Sequence, residues 1–178
     1  NFDRELELAG GENNAFTSND LTNYYEILPA ANIETALWLE ADRMKNLNLD
    51  QKSIDIQKSV VLEEFKETEL NQPYGDMDSL IREMAYKKHP YRWSTIGLKP
   101  DHIREATRNE LLDFYRTHYS PGNAILTIAG NIDPHNAFML CEKYFGAIPA
   151  GYIPAKNIKQ EPEQLSMREL SVERDVPR

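Results

Sequence analysis

The sequence has 178 residues, with 40% hydrophobic and 28% charged side chains and a formal net charge of −9 at pH 7. This composition is typical of a globular domain and excludes disordered and collagen-like chains. The acidic balance disfavours nucleic acid as a partner, because an acidic surface repels phosphate groups. No run of about 18 apolar residues predicts a membrane span. The single Cys141 cannot form an internal disulfide.

The N-terminal residues predict a helix, a hairpin and a second helix. Apolar residues at helical spacing over residues 2–9 end at Gly10 and Gly11, and the chain begins with Asn1 rather than Met. It was therefore either processed or cut from a longer chain. Residues 12–16 and 21–28 predict two strands joined by a polar turn. Asn32 is expected to cap the next helix.

The middle of the chain predicts three further helices. One runs over about 51–68, and a second follows Gly75. Residues 87–100 have no periodicity and predict a loop. Thr107 and Glu110 form a capping box for a helix that reaches about residue 119.

The last third predicts strands on either side of one helix. The short apolar run 124–129 indicates a strand buried on both faces. Asp133 and Pro134 then supply an N-cap and a first-turn proline for a helix that ends at Gly146. Residues 149–165 are expected to form a loop or linker, and residues 169–176 a final strand.

This order of elements predicts an α+β fold in which a mainly antiparallel sheet is covered by helices on one face. We expect residues 1–178 to form one domain.

The helix over 51–68 carries the most informative pair of acids. A helical wheel at about 100° per residue places Glu63 opposite the apolar stripe and Glu64 on its shoulder. Lys58 falls within the stripe, where its ammonium must extend outwards. From periodicity alone, we expect Glu64 to be a carboxylate on the flank of the helix that forms a salt bridge.

Other candidate groups carry weaker signals. The four histidines never occur at i, i+4 spacing, and no second cysteine completes a zinc quartet. A basic cluster could bind an anion, although a solvated basic loop is the simpler interpretation. The cluster contains Arg82, Lys87, Lys88 and Arg92.

Several short motifs follow one another in order along the chain. The first is a glycine pair followed by Asn-Ala-x-Thr at residues 10–17 and by Thr-Asn-Tyr-Tyr at 22–25. The later motifs are Val-Val-Leu-Glu-Glu at 60–64, Asn-Gln-Pro-Tyr-Gly at 71–75, His-Pro-Tyr at 89–91, Phe-Tyr at 114–115, Tyr-Ser-Pro-Gly-Asn at 119–123 and Gly-Asn-Ile-Asp at 130–133. This series resembles the insulinase/pitrilysin family of zinc peptidases, the inverzincins, and especially its bacterial, processing-peptidase-like branch.

The resemblance implies a zinc site in which two histidines of an H-x-x-E-H helix and one distant glutamate bind the metal. That glutamate corresponds to Glu64. The family spacing places H-x-x-E-H about a dozen residues before Asn1, so no catalytic residue is expected in this chain. Gln57 stands where many members carry a glutamate, which leaves a supporting role beside the zinc ligands open for it. Asn14 and Ala15 correspond to the strand that pairs with an extended peptide substrate, although an ordinary edge strand remains the alternative.

The implied protein is a zinc endopeptidase acting on peptides or unfolded segments, and this chain alone is expected to be inactive and to lack zinc. A homologous second domain or subunit should enclose the substrate. The bacterial periplasm or cell envelope is the expected compartment, with the cytoplasm as the alternative. Two other hypotheses are a non-catalytic homologous subunit with the same fold and an unrelated α+β interaction domain.

Overall fold

The computed structural model describes residues 2–153 and 155–174. Three short 3₁₀ helices (Ala30–Asn32, Pro90–Arg92 and Pro121–Asn123) and a π-helical turn (Lys66–Leu70) accompany the seven α-helices and one β-hairpin of these residues. In chain order the α-helices and strands are α1 (Phe2–Leu8), β1 (Glu12–Thr17), β2 (Thr22–Ile27), α2 (Ile33–Asn46), α3 (Gln51–Phe65), α4 (Met77–Ala85), α5 (Pro100–Glu105), α6 (Arg108–His118) and α7 (Pro134–Phe145). The strands are antiparallel and pair Glu12 with Ile27 through to Thr17 with Thr22. The predicted α+β class is confirmed. None of the described helices is both long and apolar enough to span a membrane.

The chain divides into two compact units, each made of two separate stretches. The first unit contains residues 1–49 and 109–155, which include the hairpin and helices α1, α2, α6 and α7. The second unit contains residues 50–108 and 156–178, which include helices α3, α4 and α5.

In the first unit, the glycine pair joins α1 to β1 at a tightly packed turn. Leu6 of α1 is 1% exposed. Gly10 has a φ of 73°, a left-handed conformation that suits glycine after a helix. A Cβ at Gly11 would lie 2.9 Å from both Leu28 Cβ and Leu6 Cδ1, closer than carbon atoms approach. Gly11 is therefore required by packing.

We expect Gly11→Ala to lower the free energy of unfolding by about 1–3 kcal/mol, because the added methyl overpacks Leu6 and Leu28. Denaturant titration of the purified chain measures this change. Glu7→Ala, at an exposed position of α1, is the control and should stay within about 0.5 kcal/mol. A Gly11→Ala chain as stable as the parent would contradict the packing explanation.

Helix α2 provides much of the first unit's core, with Leu37 3% and Leu39 5% exposed. Asn32 stands at the N-cap as predicted, but its side chain makes no cap hydrogen bond; it donates instead to the carbonyl of Ala9. This amide ties α2 to the end of α1. Helix α7 begins as predicted, because the Asp133 carboxylate accepts from the N–H of Asn136 at 2.8 Å. Tyr144 and Lys143 of α7 both bond the Glu34 carboxylate of α2.

A partly buried ionic cluster lies between β2 and α2 of the first unit. Oε1 of Glu26 and Oε1 of Glu40 are buried, and neither has a hydrogen-bond donor among the described residues. Arg43 Nη2 lies 2.9 Å from Glu40 Oε1, but its N–H does not point at that oxygen. Burial first, and then the hydrogen bond and like charge of Glu40, raise the pKa of Glu26 to about 8 against the opposing effect of Arg43. A Glu26 that keeps its proton at neutral pH can supply the missing donor to Glu40.

Aromatic side chains surround Arg43. Its guanidinium lies 4.3 Å from the ring centroids of both Phe2 and Tyr24. The Tyr24 and Tyr119 hydroxyls are 2.7 Å apart, and the Tyr115 hydroxyl donates to the Arg43 carbonyl at 2.7 Å. Burial and the Tyr24 hydroxyl raise the pKa of Tyr119 above its usual value. The cluster therefore contains one cation for two acids, shielded by rings.

In the second unit, α3 is capped by Asp50, whose carboxylate accepts from the N–H of Ser53 at 3.0 Å. Ile54 and Phe65 are its buried residues, at 4% and 6% exposure. Lys58, which falls in the apolar stripe of the wheel, extends outwards as expected: its Nζ donates to the Arg104 carbonyl of α5 at 2.8 Å. A cation at the C-terminal end of α5 is favoured by the helix dipole.

Two predicted strands are wrong. Residues 124–129 pair with no described strand, and Ile125 is 96% exposed rather than buried. Residues 169–174 form no strand, while 175 and 176 lie outside the described residues. A strand forms only where a neighbour supplies hydrogen-bond partners, which an apolar run alone cannot establish. Within the predicted loop 87–100 the structure forms a 3₁₀ helix at Pro90–Arg92, and α5 begins at the last residue of that loop, Pro100.

Candidate active-site elements

Glu64 lies near the end of α3, in the second unit, with an exposed side chain. Its backbone carbonyl accepts from Thr68 Oγ1 at 2.8 Å. No hydrogen bond or ion pair engages its carboxylate within the described part of the chain. The salt bridge that periodicity favours for Glu64 is therefore not formed. The carboxylate is free to bind a cation.

The adjacent Glu63 differs from Glu64 in its partner rather than in its burial. Both side chains are exposed, so the position of Glu64 on the edge of the buried stripe is wrong. The wheel gives directions around the helix axis, but it cannot tell which directions a neighbouring element covers. Glu63 Oε1 is 2.6 Å from Lys66 Nζ, an ion pair one turn further along. The Glu63 carboxylate is thus engaged in an ion pair, whereas no described residue pairs with the Glu64 carboxylate.

Gln57 is exposed on α3, seven residues before Glu64. Seven residues bring a side chain back to nearly the same face of a helix after a rise of about 10 Å. The two side chains therefore share a face at a separation of two turns. Direct support of Glu64 by the Gln57 amide does not follow from this spacing.

Asn14 and Ala15 lie on β1 in the first unit, opposite Tyr25 and Tyr24 of β2. Every residue of β1 is exposed, and among the described residues β1 pairs with β2 alone. The Asn14 side-chain oxygen accepts from the N–H of Ala15 at 2.8 Å. The outer edge of β1 can thus receive an extended chain, and a chain that bonds the Ala15 N–H would displace the Asn14 amide.

The described residues contain no group of three His, Cys, Asp or Glu side chains that could hold a metal ion. His89 packs edge-on against Tyr91 at 4.3 Å between ring centroids, and His118 lies 4.5 Å from the ring of Phe114. Zinc takes anionic oxygen and imidazole nitrogen ligands. The exposed Glu64 carboxylate has the chemistry of such an oxygen ligand.

The cluster around Arg43 was not predicted from the sequence. Tyr24 belongs to the Thr-Asn-Tyr-Tyr segment and Tyr119 to the Tyr-Ser-Pro-Gly-Asn segment. Their hydroxyls meet across 95 residues of chain. The only signal in the sequence was that both tyrosines fall in segments of the same family resemblance. Glu26 and Glu40 had no such signal.

The family model described as "Insulinase (Peptidase family M16)" matches residues 1–98, and the model described as "Peptidase M16 inactive domain" matches residues 105–177. The chain therefore belongs to the insulinase family, peptidase family M16, whose named members include zinc proteases.

Similar proteins support the same family. The chain is 32% identical to the zinc protease PqqE of Helicobacter pylori over 98% of this chain and 39% of that protein. It is 27% identical to the mitochondrial-processing peptidase subunit beta of Caenorhabditis elegans over 85% of this chain and 34% of that protein. A crystal structure of a protease from Helicobacter pylori superposes with a TM-score of 0.86 at 33% identity, covering 92% of this chain and 40% of that one. The chain thus spans about two fifths of its relatives' length or less.

Proposed function

We propose that this chain is part of a zinc-dependent endopeptidase that hydrolyses peptides or unfolded protein segments. In this proposal Glu64 is the third zinc ligand, and the two histidine ligands belong to an H-x-x-E-H helix about a dozen residues before Asn1. When bound, zinc supplies the Lewis acidity that makes water a nucleophile near neutral pH. The observation that carries the proposal is the unengaged Glu64 carboxylate beside the ion-paired Glu63, within the segment matched by the insulinase model.

The substrate would be held by main-chain pairing along the outer edge of β1, at Asn14 and Ala15. Pairing of this kind places few demands on side chains, so it suits an enzyme that accepts several peptides. A homologous second domain or subunit would enclose the peptide. This partner would account for the remaining length of the relatives, of which the present chain covers 39% or less.

A test of the proposed function is hydrolysis of a quenched fluorescent peptide by the full-length protein. Removal of metal with a chelator should abolish cleavage, and one equivalent of zinc should restore it. Cleavage that persists in the metal-free protein would contradict a zinc peptidase.

The rival hypothesis is a homologous subunit that keeps the fold without catalysis. One observation favours it: residues 105–177 match a family model described as an inactive domain. If this hypothesis holds, the full-length protein should neither bind zinc nor cleave peptides. If the peptidase hypothesis holds, it should do both.

We expect the isolated 178-residue chain to retain no stoichiometric zinc after dialysis. One carboxylate cannot replace a site that needs three protein ligands. Metal analysis by mass spectrometry measures the zinc content. A tightly held equivalent of zinc in this chain would overturn the proposed assignment of ligands.

A further inference from the structure

A pocket of about 560 Å³ in the second unit is lined by four cations. We call it the basic pocket and define it by Lys87, Lys88, Arg92, Trp93, Asn157 and Lys159. Three of its cations belong to the basic cluster seen in the sequence. The fourth member of that cluster, Arg82, pairs with Asp78 at 2.5 Å and does not line the pocket. Lys159, which is distant in sequence, completes the set.

The lining of the basic pocket comes from two segments, residues 87–93 and residues 157–159, and a carboxylate links them. Glu161 accepts hydrogen bonds from the N–H groups of Lys87, Lys88 and His89 at 2.7, 2.7 and 2.8 Å. Burial acts to raise the pKa of Glu161, but these three bonds and the Arg168 charge outweigh it and lower the pKa to about 2. Glu161 is therefore ionised at any physiological pH, and the contact persists.

A second contact fixes the same segment of chain. Arg168 Nη1 donates to the Met84 and Ala85 carbonyls at 2.7 Å each, at the end of α4. Together with the Glu161 contact, this holds residues 157 and 159 beside the loop 87–93. The lining of the basic pocket is thus formed before any ligand arrives, which reduces the entropy lost on binding.

Within residues 2–153 and 155–174, the four cations of the basic pocket have no acidic side chain as an ion-pair partner. Among the ion pairs of the described residues, none includes Lys87, Lys88, Arg92 or Lys159. Lys87 Nζ instead bonds the Glu83 carbonyl at 3.0 Å. Arg92 Nε is buried without a hydrogen-bond partner. The nearby Glu161 has both carboxylate oxygens engaged by N–H groups.

This arrangement is unusual for a chain with a net charge of −9. Four like charges around one pocket repel each other, and in an acidic protein carboxylates are plentiful as partners. Leaving these cations unpaired is favourable when an outside anion neutralises them. A multiply charged anion would gain from several contacts at once, and the guanidinium of Arg92 suits phosphate oxygens in particular.

We propose that the basic pocket binds a small anion that carries at least two phosphate-type negative charges. The volume of the basic pocket lies within the range of small-molecule sites, which is about 300–1,000 Å³. Trp93, which lines the pocket and is 43% exposed, can cover an apolar part of a phosphate ester. The site lies outside the residues assigned to peptide hydrolysis, so the inference does not rest on the proposed function.

Isothermal titration of the full-length protein with inorganic pyrophosphate tests this proposal. We expect saturable binding of one equivalent at low salt, weakened at 300 mM NaCl by about an order of magnitude because exposed charges are screened. The double variant Lys88→Gln/Lys159→Gln should bind at least about tenfold more weakly, because it removes two of the four positive charges that line the pocket. Both side chains are exposed and make no hydrogen bonds within the described chain, so folding should be intact.

The control variant is Lys45→Gln/Lys52→Gln. It changes the net charge by the same amount at two exposed positions outside the basic pocket. It should bind pyrophosphate within about twofold of the parent protein, since its lysines lie outside the pocket. Equal weakening in both double variants would show diffuse attraction and overturn the proposal.

Two further results would also overturn it. One is the absence of pyrophosphate binding at low salt. The other is tighter binding of hexaglutamate than of pyrophosphate, if the hexaglutamate binding is lost in the Lys88→Gln/Lys159→Gln variant. That result would show that the pocket binds acidic peptides. Peptide cleavage by the same preparations is measured separately, so failure of this inference and failure of the peptidase proposal can be told apart.

Discussion

Replacing Glu64 by Gln in the full-length protein is expected to reduce zinc content and peptidase activity together, each by at least about 100-fold. Loss of a group that merely supports a metal ligand already costs 10–100-fold, and a charged ligand contributes more. The amide keeps the volume of the side chain. Glu64 is exposed, and its carboxylate makes no hydrogen bond or ion pair with the described residues. The melting temperature of the zinc-free protein should therefore change little.

The matched control for Glu64 is its neighbour. Glu63→Gln removes an ion pair with Lys66. Both side chains of this pair are exposed, Glu63 at 66% and Lys66 at 42%. Pairs of this kind contribute about 0–1 kcal/mol. Zinc content and kcat/KM should remain within about twofold of the parent enzyme, because Glu63 is not a proposed ligand and the substitution removes only a surface ion pair. Equal losses at both positions, or full activity in Glu64→Gln, would show that Glu64 is not the ligand.

Stability should fall as the pH rises from about 4.5 to about 8, in part because of Glu26. The pKa of Glu26 is raised from 4.5 to about 8 in the folded chain. Between these values the folded state keeps a proton that the unfolded state has lost. The contribution of Glu26 is therefore complete below the unfolded pKa and is lost as the pH passes through the folded pKa.

We expect Glu26→Gln to abolish this part of the pH dependence. Gln stands in for the protonated acid, so it can donate a hydrogen bond to Glu40 at every pH. The variant should match the parent chain near pH 4.5 and exceed its stability by about 1–2 kcal/mol at pH 9, a value discounted for solvent screening of a half-exposed group. Arg43, Tyr24 and Tyr119 are the other polar groups that face this cluster.

Urea titrations at several pH values between 4.5 and 9 measure the difference between the two chains. Glu12→Gln, on the exposed strand β1, is the control and should shift the stability by a constant amount. A difference between parent and Glu26→Gln that does not vary with pH would contradict the proton kept by Glu26.

Local signals in the sequence were sufficient for the helices and the hairpin. Asp133, Pro134 and Gly146 bracket α7 closely, because capping and helix termination depend on near neighbours in the chain. The polar turn between β1 and β2 was a local signal of the same kind, and it marked the ends of the two strands of the hairpin. Helix α5 was missed because six residues are too few to show a period, although Pro100 was a signal for its first turn.

Properties that depend on distant residues were less accessible. The strand predicted at 124–129 needs a partner, and its apolar residues do not specify one. The exposure of Glu64 depends on which elements pack beside α3. The site residues themselves came from the family resemblance: periodicity separated Glu63 from Glu64 in direction but favoured a salt bridge for the wrong acid.

The interleaving of the two units affects how the chain can fold during synthesis. Residues 50–108 leave the ribosome before α7, yet Glu34 of α2 takes its hydrogen bond from Tyr144, 110 residues later. At typical elongation rates that interval lasts roughly 5–20 s. Each family-model segment also contains parts of both units, so neither segment carries a complete unit. Throughout that interval the face of α2 that α7 covers stays open to chaperones and to other nascent chains.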